Sequence, residues 1–71
     1  MKAATDVALA LDSAVNLTDL ARTDLNAVLR TLPDDVPLFA VVDLVAALGH
    51  LRLAAIMVDR AADALNAEVA R

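Results

Sequence analysis

The chain holds one histidine, His50, and Asp43 stands seven residues before it. An Asp–His pair can orient an imidazole for acid–base work. Along a helix, seven residues are two turns, or about 10 Å. The pair therefore shares a face but cannot touch within one chain without a bend or a second chain. No Ser, Cys or Glu stands beside it in a catalytic pattern. Asp59 and Asp63 form an i,i+4 carboxylate pair of the kind that can hold a hard divalent cation. Helical carboxylate sites add a Glu-x-x-His motif, which this chain lacks, so a solvated acidic face beside Arg52 and Arg60 is expected instead. There is no phosphate-cradling glycine loop, nucleophile elbow or zinc spacing. Without cysteine there is neither a disulfide framework nor a thiolate metal site. The expectation is a non-enzymatic protein with no catalytic residue, no metal and no cofactor.

The elements that carry these residues are two long amphipathic helices. From about residue 4 to residue 32, apolar positions recur at alternating steps of four and three: Val7, Leu11, Ala14, Thr18, Ala21, Leu25, Val28 and Leu32. Val15, Leu17 and Leu29 widen this seam, while Asp12, Asp19 and Asn26 make the far side polar. Pro33 stops the helix, because the residue before a proline is driven out of the helical region. Pro33-Asp34-Asp35-Val36-Pro37 reads as a tight acidic turn, with Pro37 suited to open the next helix. A second helix is predicted from about 37 to 69, with the seam Val41, Leu44, Leu48, Leu51, Ala55, Val58, Ala62, Leu65 and Val69. So short a connection forces the helices antiparallel. The predicted fold is all-α, one helical-hairpin domain over residues 1–71.

The second helix also carries apolar residues on its back. Phe39, Val42, Ala46, Gly49, Leu53 and Ile56 keep the four–three spacing nearly opposite the seam, and from Leu38 to Leu48 only Asp43 is polar. A helix apolar all round is buried all round, and one hairpin cannot cover this stripe. These six residues are the predicted oligomer interface, in a homodimeric four-helix bundle or a higher oligomer. Gly49 in a helix interior costs about 1 kcal/mol against Ala, a cost explained if another helix backbone approaches there. Three polar groups are candidates for setting register. Arg52 flanks the seam and can reach Asp59 of another chain, or Asp19 or Asp24 of the first helix. Thr18 interrupts the first seam, where it can also bond back to its own helix.

Composition bounds the function. Of 71 residues, 61% are hydrophobic and 1% aromatic, with a net charge of −4. A domain this small needs disulfides, metal or a partner to be stable, and association is what remains. Nucleic acid is not expected as a partner, because no basic patch is present to displace counterions from phosphates. Asp6 and Asp12 interrupt the N-terminal apolar run, which makes it a poor signal peptide, and the absence of cysteine fits a reducing, cytoplasmic setting. The function expected is that of a homo-oligomeric interaction or adaptor module that binds another protein. The alternative is a membrane-associated protein with residues 36–58 inserted, long enough for a bilayer core of about 30 Å. Against it, Asp and Arg near a helix centre each cost about 2.5–3.5 kcal/mol on insertion scales. The segment also lacks an aromatic belt and clustered cations at one end.

Overall fold

A computed structural model of the chain describes residues 4–69, with side chains described from Asp6 to Glu68. Two helices, α1 (Ala4–Arg30) and α2 (Leu38–Val69), pack against each other as a hairpin. The molecule measures 55 × 17 × 14 Å, the length of one long helix and the thickness of a single layer.

Local chemistry explains the ends. The first helix stops at Arg30, two residues before the predicted end, and the Thr31 amide donates to the Val28 carbonyl at 3.0 Å. That tighter, i→i−3 bond closes the last turn as the chain approaches Leu32 and Pro33, where helical geometry is disfavoured. The Thr31 hydroxyl donates to the carbonyls of Val28 at 3.0 Å and Ala27 at 3.2 Å, satisfying acceptors that a helix end leaves open. The Val36 amide donates to the Pro33 carbonyl at 3.3 Å, folding 33–36 into a turn. The Pro37 carbonyl receives the Ala40 and Val41 amides at 3.0 and 3.4 Å. Pro37 therefore occupies the capping position just before α2, where it needs no amide hydrogen of its own.

The α2 seam is as predicted from Val41 to Leu65, each position half-buried or buried. Val69, its last predicted position, lies outside the described side chains. The α1 seam is rotated from the expectation. Val7, Leu11, Thr18, Leu25 and Leu32 face inward, but Ala14, Ala21 and Val28 are exposed, and Ala8, Val15, Arg22 and Leu29 also turn inward. The two sets differ by one residue, about 100° of helix. The inward set brings Val15 and Leu29 to the seam in exchange for Ala14, Ala21 and Val28, trading two small side chains and a valine for a valine and a leucine with the stem of Arg22. It also brings Arg22 inward. Arg22 is half-buried with its guanidinium Nη1 donating to Asp19 Oδ1 at 3.2 Å, one turn back on the same helix.

What the hairpin buries is small. Ala8, Ala55 and Ala62 are the only buried residues among those described. The radius of gyration is 16.4 Å, against about 11 Å for a compact domain of this length. The accessible surface is 5414 Å², against about 4,200 Å² for a folded monomer of this mass. One chain thus exposes roughly 1,200 Å² more than a folded monomer of its size.

Candidate interaction surface

The back of α2 is built by periodicity alone. Positions three and four apart stack on one side of a helix, so Phe39, Val42, Ala46, Gly49, Leu53 and Ile56 form one continuous stripe. The seam against α1 occupies the opposite side, and the stripe is left open: all six residues are exposed, Phe39 at 72%. Leu38, Val45 and Met57 extend the patch, and all three are exposed as well. The helix Leu38–Glu68 is long and apolar enough to cross a membrane, and only 6% of its most apolar stretch is buried. A core helix of a globular protein of that composition would be mostly covered.

Gly49 lies mid-stripe with open space around it. A Cβ built there meets nothing within 4 Å, and no glycine in the chain has a positive φ. The hairpin itself gives Gly49 no reason to be glycine. Gly49→Ala is therefore expected to stabilise the single hairpin by about 1 kcal/mol through helix propensity, raising Tm by about 4–8 °C in a domain this small. If another backbone approaches at Gly49, the same change weakens association. Thermal unfolding at high dilution and sedimentation at high concentration would read these two effects with opposite signs.

The charged residues gather in a cleft beside the seam, half-way along the hairpin. It has a volume of about 310 Å³ and is lined by Val15, Asp19, Arg22, Arg52, Ala55, Ile56 and Asp59. Two carboxylates and two guanidiniums thus face one groove. Of the two α1 partners expected for Arg52, the cleft includes Asp19 but not Asp24; Asp59, expected to meet Arg52 from another chain, lines the same cleft from Arg52's own helix. The ion pair formed is Arg22–Asp19, on two half-exposed side chains, worth under about 1 kcal/mol. Arg22 is the cleft residue that the periodicity passed over, because a cation on a seam position breaks the apolar pattern that defines a seam. The Thr18 hydroxyl donates to the Ala14 carbonyl at 2.9 Å, so it is used within α1 rather than across the hairpin.

Asp43 and His50 lie on the flank of α2 away from the cleft, both exposed, and no hydrogen bond or ion pair joins them to another described residue. Asp59 and Asp63 are exposed. Among the described residues, no group of three or more His, Cys, Asp or Glu side chains is placed to hold a metal ion. Among the described residues, the arrangement offers an exposed apolar face, a mixed-charge groove and no assembled nucleophile, base or ligand set. No protein-family model, curated protein or solved structure matches the chain.

Proposed function

We propose that this chain is a non-enzymatic interaction module that works as a homo-oligomer of hairpins, a four-helix dimer in its simplest form, in the cytoplasm. One observation carries the reading: the stripe from Phe39 to Ile56 is fully apolar, continuous and exposed on the single chain. Soluble monomers rarely leave apolar patches of more than a few hundred Å² uncovered. The excess surface of roughly 1,200 Å² per chain suits an interface that commonly removes about 800 Å² from each partner. The oligomer would present the polar flank of α1, with Asp12, Asp19, Asn26 and Arg30, to a protein partner. Sedimentation equilibrium tests the core of this reading. The expected mass is at least twice the 7.4 kDa of one chain; a clean monomer at micromolar concentration would refute it.

A second reading has an observation of its own, the length and exposure of the apolar helix Leu38–Glu68. In that reading α2 lies in a bilayer and α1 at its surface. Asp43 and Arg52 oppose it, since both fall inside the apolar stretch and cost about 2.5–3.5 kcal/mol each at a membrane centre. Fractionation after lysis separates the two readings. Recovery in the aqueous fraction favours the bundle, and recovery only with detergent favours the bilayer.

A further inference from the structure

The stripe on the back of α2 reads the same in both directions. Its steps are three, four, three, four, three; any such alternation is symmetric about a mid-point, and here that point falls between Ala47 and Leu48 with the two smallest residues of the stripe, Ala46 and Gly49, on either side of it. We infer that α2 packs on α2 of a second copy, antiparallel, about a two-fold axis at that point. This rests on the reading that the chain self-associates, and it adds the surface, direction and register.

Symmetry of this kind requires each residue to meet its mirror-numbered counterpart. Phe39 comes level with Ile56 of the second copy, Val42 with Leu53, and Ala46 with Gly49. Large side chains meet at the ends and the two smallest at the centre, where the backbones can approach most closely. This gives Gly49 the neighbour that the isolated hairpin does not supply.

Charge selects the same direction. In antiparallel helices, equivalent flanks fall on the same side of the contact, so the Asp43/His50 flank meets its own copy. In this register Asp43 stands within about two residues of His50 of the second copy, an axial offset near 3 Å. The imidazole can then donate to the carboxylate, and the axis makes the contact twice. The separation that keeps the two apart in one chain is what joins them across two. Arg60, one step beyond Ile56, comes level with the acidic turn at Asp34 and Asp35 of the second copy. A parallel arrangement would instead set Arg60 against Arg60 and acidic turn against acidic turn, which like charges oppose.

Disulfide trapping tests the register, and the chain has no native cysteine to interfere. Val42→Cys and Leu53→Cys are made as separate chains and oxidised in a glutathione buffer, mixed and alone. The mixture is expected to give a cross-linked pair. Each variant alone is expected to give none, because like positions lie about 16 Å apart along the axis, beyond disulfide reach. Phe39→Cys with Ile56→Cys repeats the test should the first pair perturb folding. A cross-link in each variant alone would overturn the antiparallel register. No cross-link in either mixture, with a sedimenting mass still twice that of one chain, would overturn this face while leaving self-association intact. A monomer throughout, or a chain recovered only with phospholipid vesicles, would overturn both.

A double-mutant cycle tests the polar contact. Asp43→Ala and His50→Ala should each weaken the dimer by about twofold to thirtyfold, the range for two exposed pairs per dimer. Together they should weaken it little more than either alone, and additive losses would show that the two groups do not meet.

Discussion

Leu53→Glu and Gly49→Glu are each expected to reduce the sedimenting mass to that of one 7.4 kDa chain. Either substitution puts a carboxylate into the middle of the proposed contact. An unpaired charge there costs at least about 2–3 kcal/mol per site, twice in a dimer, which weakens association by about a thousandfold or more. The isolated hairpin should hardly notice. Leu53 is 54% exposed and Gly49 has open space around it, so either change should shift hairpin stability by about 0.5 kcal/mol or less apart from helix propensity. Helical circular dichroism at matched concentration distinguishes dissociation from unfolding. Retention of the full oligomer mass by both variants would show that this stripe is not the interface.

The second large effect belongs to the opposite face. Ala8 is 2% exposed and Ala62 is 1% exposed. Folding the chain about the turn at Asp34–Asp35 brings these two level at the open end of the hairpin, where alanine sets how closely the helices approach. Ala62→Leu or Ala8→Leu adds three carbons to a contact with no room for them. Overpacking of this kind costs about 1–3 kcal/mol, which lowers Tm by about 4–8 °C for each kcal/mol in a domain this small. Ala27→Leu, exposed on α1 away from both the seam and the stripe, is the control and should leave the melting nearly unchanged. Equal melting of Ala62→Leu and the parent chain would mean that the helices do not close on each other there.

Much of this architecture was legible in particular residues. Pro33 and Pro37 bracket the turn because each removes a conformation or a donor that a continuing helix requires. The α2 seam was legible because polar residues are absent from it from Val41 to Leu65. The α1 seam was legible only to within one residue. Leu11, Thr18, Leu25 and Leu32 serve either rotation, and the intervening positions offer two apolar sets, one with Ala14, Ala21 and Val28, the other with Val15 and Leu29. Periodicity weighs apolar against polar and penalises Arg22, whereas packing rewards the bulk of Val15 and Leu29 and lets Arg22 keep its head in the cleft while its stem covers the seam. The cleft was half legible: Arg52 and Asp59 stood out by their surroundings on α2, but their grouping with Asp19 and Arg22 depends on the rotation of α1. The proposed pairing of Asp43 with His50 needs two chains, as their seven-residue spacing implies.

Three alanines are the only buried residues among those described in the hairpin. A chain with so little interior has little to lose by opening, and a second copy covering α2 as proposed would supply much of what holds it shut. Its folded fraction then follows mass action and rises with the concentration of the covering molecule. Dilution acts on such a chain as a denaturant does on an ordinary domain. Proteolytic lifetime, read across a concentration series, becomes a direct measure of how often α2 is covered.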